Sequence, residues 1–395
     1  MKQLMLVLVA ALMAPVTFAA ENDYDAQLKA LWAEFATANR EKRPADAKAA
    51  IVRWTEVCRA KIDAMTVPTE GTPQAIAKAR KAKCGAILEL ASRYNDQLRD
   101  EEKSLAAIDE ALNLKEGDAA TRFAALCRKS EFMRKHKRVA EALPLAEEAM
   151  KIAKANPELK LLRDAYNCRA QAHYAGKKWD PAIEDFIAAA ENWGGAPAQI
   201  TGDAFEAVLW VTRAGRGDDA RKYLERIRAI PNLHINNFTR TYEIDGRTYN
   251  AEKRPEETLK LYDRVLADTN ILAKADVAGI INTAAGLVKG LGKGYAATFA
   301  FYDKVLADPK RYNLDDKGLW KVADSYVGAC WRSMDRQRIK GALKLAKDLG
   351  HEQKTGMAQA LNRYYDEMDA FPKDEKDIVI PKSARDLGFD PDRRS

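Results

Sequence analysis

Histidine and cysteine are scarce in this chain, four of the first and five of the second among 395 residues. The histidines (136, 173, 234, 351) lie far apart, and no cysteine (58, 84, 127, 168, 330) stands in a CxxC or CxxH spacing. Zinc motifs set their ligands in closely spaced pairs, so a sequence-local metal site is unsupported and no metal or cofactor is expected. HExxH, GxSxG and EF-hand signatures are also missing, which leaves no catalytic residue to name. Beyond the first residues no apolar run approaches the ~20 residues of a membrane span. Nor is one sign of charge dominant. The 65 bases and 58 acids, net +7, are mixed along the chain, the pattern of solvated helix faces rather than of a nucleic-acid footprint. One basic knot, Arg134-Lys135-His136-Lys137-Arg138, reads as an exposed turn between helices.

Residues 1–19 have the order of a secretory signal peptide. Lys2 supplies the charge, Leu4 to Ala14 the apolar run, and Thr17-Phe18-Ala19 the small-x-small site before the acidic Glu21-Asn22-Asp23. The expectation is an exported, periplasmic or secreted, soluble protein cleaved near Ala19. An odd cysteine count in such a chain leaves at least one thiol unpaired. Cys127 and Cys168 occupy similar places in consecutive repeats and could meet; small apolar filler in a helix core is the simpler reading for each cysteine.

What the chain has in abundance is helical periodicity, from Asp23 to about Met368, built on Ala, Leu, Lys, Glu and Arg. It also repeats itself. Phe301-Tyr302-Asp303-Lys304-Val305-Leu306-Ala307-Asp308 copies Leu261-Tyr262-Asp263-Arg264-Val265-Leu266-Ala267-Asp268 at a spacing of forty, a period diagnostic of stacked supersecondary units. One core position of the second helix in each unit aligns as Ile108, Ala146, Phe186, Tyr223, Tyr262, Tyr302 and Leu345. Breakers separate the units: Gly117, Asn156-Pro157, Gly194-Gly195, Pro231 and Pro309. Pro44 opens an early helix, and Thr72-Pro73 caps the next after a linker from Thr66. About eight helical hairpins are expected.

Within Leu159–Ala190, Gly176 marks a turn, and Trp179, Ala182, Phe186 and Ala189 follow it as aromatic, small, large and small positions. That order resembles the tetratricopeptide repeat (TPR). Gly176 is expected to take the left-handed conformation that ends a helix, with Asp180-Pro181 as N-cap and first-turn proline. Other units resemble the family less: Thr258 and Thr298 replace the small alanine, and the period runs near 40 rather than the usual 34. The resemblance implies an all-α, TPR-like α-solenoid. Its stacked antiparallel hairpins form a right-handed superhelix over residues 20–368, and residues 369–395 form an extended C-terminal strap.

The resemblance also implies a concave groove lined by the first helix of each hairpin. Projection from the best-matched unit places Tyr166, His173 and Tyr174 there, with Tyr242, Tyr249 and Asn250 in the same register later on. Independently, helical spacing sets Glu206, Trp210 and Arg213 opposite Phe205, Val208, Leu209 and Thr212. It sets Trp320, Asp324 and Trp331 opposite Leu319, Val322, Ala323, Tyr326 and Cys330. Rings beside charge suit peptide or sugar recognition, the competing reading being packing against the neighbouring unit. The glycine-rich Gly286–Gly294 fails as a phosphate loop, because Gly294 stands where Ser or Thr is required and a helical pattern precedes it. The reading that follows is a non-catalytic scaffold for a protein or peptide partner, with no nucleic acid and no membrane span. The alternative is an α/α-toroid enzyme or binding protein for polysaccharide, with carbohydrate as the second ligand class.

Overall fold

The computed structural model describes residues 21–114 and 118–333, with positions 338, 341, 342, 344 and 345 beyond them. The segments expected as signal peptide (1–19) and C-terminal strap (369–395), and Gly117, lie outside the described residues. Among those described, sixteen α-helices follow one another, and β structure is limited to one isolated bridge between Ala198 and Leu233. The helices pair in sequence as antiparallel hairpins, so the protein is an all-α array of the TPR-like kind. Contacts divide it into two compact units, Met1–Asp185 and Phe186–Ser395, with the boundary inside one helix.

The first unit holds α1 (Glu21–Arg40) with α2 (Pro44–Ala64), and α3 (Pro73–Arg93) with α4 (Glu101–Leu112). It continues with α5 (Ala119–Lys135), α6 (Val139–Ala155) and α7 (Leu162–Ala175), then reaches into α8 (Trp179–Glu191). Thr72 caps α3 as its sequence predicts, its hydroxyl accepting the Ala75 N–H at 3.2 Å. The second unit pairs α9 (Gly202–Arg213) with α10 (Gly217–Arg228), and α11 (Ile235–Ala251) with α12 (Pro255–Ala267). The short α13 (Thr269–Leu272) precedes α14 (Val277–Val288) and α15 (Gly294–Ala307), and α16 (Asp316–Ser333) opens a further hairpin.

The turn inside most hairpins is one hydrogen-bonded motif. Lys42, Lys137, Lys177 and Lys253 take φ of 56°, 61°, 56° and 59°, and Gly215 takes 79°. The N–H of each following residue donates five residues back: Arg43 to Ala38, Arg138 to Met133, Lys178 to His173, Arg216 to Val211 and Arg254 to Tyr249, at 2.8–3.2 Å. These are Schellman motifs, which satisfy carbonyls that a helix end otherwise leaves unpaired. Their cations also sit at helix C-termini, where the macrodipole favours positive charge. The basic knot at 134–138 is one such turn. Two expectations are corrected here. Gly176 is not left-handed; Lys177 is, and Gly176 caps the helix where an added Cβ would touch Val139 Cγ1 at 3.4 Å. Helix α8 begins at Trp179, so Asp180 and Pro181 lie within its first turn and Asp180 is not the cap.

Counting from the first residue of each second helix explains the period. The eighth position is a buried side chain in α2 (Ile51), α4 (Ile108), α6 (Ala146), α8 (Phe186), α10 (Leu224) and α12 (Tyr262). Tyr302 holds the equivalent place in α15, 3 % exposed. Thus Leu224, wholly buried, replaces the expected Tyr223, which is only partly covered. A large apolar side chain buried this way contributes about 1.5–3 kcal/mol. Four residues earlier a small residue lets the helices approach: Ala47, Ser104, Ala142, Ala182, Ala220, Thr258 and Thr298 are all buried. The threonine hydroxyls find carbonyl acceptors: Thr258 donates across the hairpin to Gly246 O at 2.9 Å, and Thr298 lies 3.2 Å from Gly294 O of its own helix and 3.4 Å from Ala285 O of the facing one.

Candidate partner-binding face

In the first unit the expected groove residues lie on α7. Tyr166 rests partly buried against the Phe123–Leu126–Met150 cluster. Tyr174 meets the Trp179 ring edge-on, 5.4 Å between centroids. His173 is nearly enclosed, its side chain 13 % exposed, because it holds the core register occupied by Met133 and Ala38 in the earlier turns. Two residues not anticipated complete this cluster. Arg169 grips Asp185 with two parallel bonds, Nε to Oδ2 at 2.8 Å and Nη2 to Oδ1 at 2.7 Å. The Asp185 side chain is 7 % exposed, and His173 Nε2 lies 3.8 Å from its Oδ2. Burial pushes the His173 pKa below its ordinary 6.5, with the Asp185 charge opposing that and the Arg169 charge adding to it. His173 Nδ1 is buried without a hydrogen-bond partner. The sequence does carry a signal: Asp185 stands one residue before Phe186, where other second helices place Ala107, Leu145 or Leu261. A carboxylate in an apolar register calls for a buried partner.

In the second unit the α9 stripe has the geometry that helical spacing predicts. Ala204, Phe205, Ala207, Val208, Val211 and Thr212 are buried, while Trp210 is 40 % exposed on the other side. The Arg213 guanidinium lies 4.4 Å from the Trp210 ring centroid and 3.1 Å from a Glu206 carboxylate oxygen. The guanidinium holds the ring by cation–π attraction, so the indole is presented in a fixed pose with charge of both signs beside it. Tyr249, on α11, is flanked by two guanidinium groups, Arg221 at 4.5 Å and Arg254 at 5.2 Å. Its neighbour Asn250 places its side-chain amide 3.0 Å from the Thr258 hydroxyl oxygen.

Three expected groove rings are core residues. Tyr242 is 7 % exposed, under the Arg228 guanidinium, with burial raising its hydroxyl pKa. Trp320 and Trp331 are 5 % and 2 % exposed, in one cluster with Phe299, Tyr302 and Ala342. Asp324 is only partly covered. The expected stripe on α16 fails because that helix packs against both α14 and α15 and also against the chain near Ala342. Its Leu319 is the more exposed residue and Trp320 the buried one. The glycine-rich segment forms the end of α14, a π-helical turn at Lys289–Lys293 and the start of α15. With Asn250, Lys253 and Pro255 it borders a shallow depression of about 490 Å³.

A further aromatic–cation cluster was not foreseen in the first unit. The Arg93 guanidinium lies 4.1 Å from the Trp32 ring and 5.3 Å from the Trp54 ring. Trp32 is 37 % exposed. No group of three or more metal-ligating side chains occurs among the described residues, and no described helix is long and apolar enough to cross a membrane.

No protein-family model matches this chain, and no curated protein matches it at a significant level. Solved structures do match. A tetratricopeptide repeat protein from Parabacteroides merdae is 12 % identical, with 68 % of this chain and 94 % of that one aligned at a TM-score of 0.34. BtubC (BKLC) from P. vanneervenii is 16 % identical, with 60 % of this chain and 89 % of that one aligned at a TM-score of 0.37.

Proposed function

We propose that this helical-repeat chain is an exported, non-catalytic scaffold that binds a protein or peptide partner through exposed rings on its first helices. The observation that carries the reading is Trp210. A tryptophan left 40 % exposed, braced by Arg213 and next to Glu206, has the large contact area and polar flank of an interface anchor. Ala204, Phe205, Ala207, Val208, Val211 and Thr212 of α9 are buried in the core, and the indole lies on the opposite side of the helix. Trp32, stacked on Arg93 in the first unit, is a second anchor of the same construction. Export rests on the signal-peptide pattern of residues 1–19.

The test is affinity capture from an extract of the exporting compartment, using mature protein with and without residues 369–395, followed by calorimetry on the identified partner. Trp210→Ala and Arg213→Ala are expected to weaken binding at least tenfold while the helical circular dichroism is unchanged. Partner affinity unaltered in both variants would overturn the assignment. Capture of polysaccharide alone would replace it with the carbohydrate-binding reading. The mature N-terminus, sequenced from the exported fraction, is expected at Ala20; retention of residues 1–19 there would refute cleavage.

A further inference from the structure

In the second unit, the junction between successive hairpins is filled at one place and open at the next. Gly217 begins α10, and Glu252, in the turn after α11, lies over it, so a Cβ added at Gly217 would overlap Glu252 Oε1. Arg221, four residues further along α10, holds that carboxylate with Nη1 to Oε2 at 3.0 Å and Nη2 to Oε1 at 3.1 Å. The chain's own side chain plugs this junction. One repeat later, counting from the first residue of the second helix, Pro255 stands for Gly217 and Leu259 for Arg221. The turn that follows α14, Lys289-Gly290-Leu291-Gly292-Lys293, contains no carboxylate. The acid and the arginine of the earlier junction are both replaced.

The depression of about 490 Å³ lies at this second junction, bordered by Pro255, Leu287 and Leu291. Its volume falls in the range of ligand-holding clefts, roughly 300–1,000 Å³. Cβ atoms added at Gly286 and Gly290, which also border it, would meet nothing within 4 Å. Lys253 stands at its rim, exposed and without an ion pair among the described residues, whereas at the filled junction Arg221 and Arg254 both face Glu252. We infer that the open junction is a docking slot for an extended acidic–apolar peptide segment of a protein partner. Leucine-sized side chains enter against Pro255, Leu287 and Leu291, and an adjacent carboxylate pairs with Lys253. Burial of apolar area favours the first contact; charge complementarity with the free ammonium selects the second. The slot rests on the proposed reading of this chain as a partner-binding scaffold, and it gives that partner a contact built from none of the Trp210 cluster.

Fluorescence anisotropy of the full mature chain with a labelled peptide of alternating aspartate and leucine tests the slot. That peptide is expected to bind, and counterparts with lysine for aspartate or serine for leucine to bind at least tenfold more weakly. Gly290→Leu directs its new atoms into open space; it is expected to weaken the aspartate–leucine peptide at least tenfold with Tm and helical circular dichroism unchanged. Gly286→Leu fills the same space from the preceding helical turn and serves if the first variant does not fold. Lys253→Glu is expected to weaken the aspartate peptide and strengthen the lysine one, a reversal that a merely structural role would not produce. No binding of the aspartate–leucine peptide, equal binding of its lysine counterpart, or affinity unmoved by the filling variants would overturn the inference. Binding seen only after deletion of residues 369–395 would assign the slot to the chain's own tail and overturn it equally. Trp210→Ala is expected to leave this peptide's affinity unchanged, so the two contacts are read separately: a captured partner sensitive to Trp210→Ala and indifferent to Gly290→Leu refutes the slot alone.

Discussion

Gly246→Ala is the substitution for which local helix preference and packing disagree most sharply. In an isolated helix, alanine for an interior glycine stabilises by about 0.5–1 kcal/mol. In this hairpin the new Cβ would stand 2.4 Å from Tyr262 Oη, 2.8 Å from Thr258 Cγ2 and 3.0 Å from Tyr262 Cζ. Each contact is far inside the roughly 3.5–4.0 Å optimum for non-bonded heavy atoms. Neither neighbour is free to retreat. Tyr262 is 1 % exposed, and Thr258 is wholly buried and branched at Cβ, with its hydroxyl on the Gly246 carbonyl. Relief therefore requires α11 and α12 to separate, which breaks that bond and loosens the core around Val265 and Ile281. Overpacking of this kind costs about 1–3 kcal/mol, so packing wins and the net loss centres near ~1 kcal/mol once the helix-propensity gain is subtracted.

Urea unfolding followed by circular dichroism measures it, with a lower midpoint and an unchanged slope expected. Amide exchange should accelerate in α11 and α12 before it does elsewhere. Repair discriminates the mechanism. In the Gly246→Ala background, Thr258→Ser removes the crowded methyl while keeping the hydroxyl donor, and Tyr262→Phe removes the nearest oxygen. The triple variant is expected to recover more than the separate effects predict, a coupling of at least ~0.5 kcal/mol. A Gly246→Ala protein as stable as the parent, or more so, would refute the close approach of these helices and the account of Thr258 with it.

Other expectations follow from the buried polar cluster and the corrected tryptophans. Arg169→Met leaves the Asp185 carboxylate buried without its bidentate partner and should cost about 3 kcal/mol, with Asp185→Leu in the same chain restoring part of it; equal midpoints for parent and single variant would refute this. His173 binds its proton more weakly folded than unfolded, so the unfolded state takes up protons first and stability falls as pH drops below 6.5. His173→Gln should flatten that slope; a slope unchanged in the variant assigns it to other groups. Trp331→Ala, in the core, should cost about 3–5 kcal/mol, whereas Trp210→Ala should stay within about 0.5 kcal/mol of the parent. A reversal of those two effects would overturn the division of rings between core and face.

The hairpin architecture was legible because its period is written in residues that have few alternatives. A core residue in the second helix, with a small residue four places before it, must recur wherever two helices cross at the same height. The misreadings were of register. A glycine in the turn draws the left-handed assignment to itself, yet at 176–178 the Schellman bonds place that conformation on Lys177, and the same lysine recurs at 42, 137 and 253. Lysine at this place accepts a small conformational cost beside a helix C-terminus that favours its charge, so composition alone does not mark it. Tyr223 likewise drew the core assignment from Leu224 because it is an aromatic in a column that ends in Tyr262 and Tyr302.

The face was harder to read than the fold, and the reason lies in how a first helix is packed. A second helix buries one stripe and shows the remainder to solvent, so its period identifies the buried side. A first helix touches its own partner and its neighbours in the array, and its covered arc depends on residues distant in sequence. Trp210 and Trp320 show this. Each lies in a tryptophan-plus-carboxylate stripe opposite an apolar one, and periodicity treats them alike. Trp320 is enclosed because α14, α15 and the chain near Ala342 pack around α16, whereas the Trp210 side of α9 is left 40 % exposed with Arg213 laid across it. A ring that a neighbour encloses is spent on stability, whereas the ring that stays partly exposed beside a guanidinium is the one the proposed function assigns to a partner. That difference resides in tertiary contacts, and it is why the binding assignment rests on Trp210 and not on the whole aromatic column.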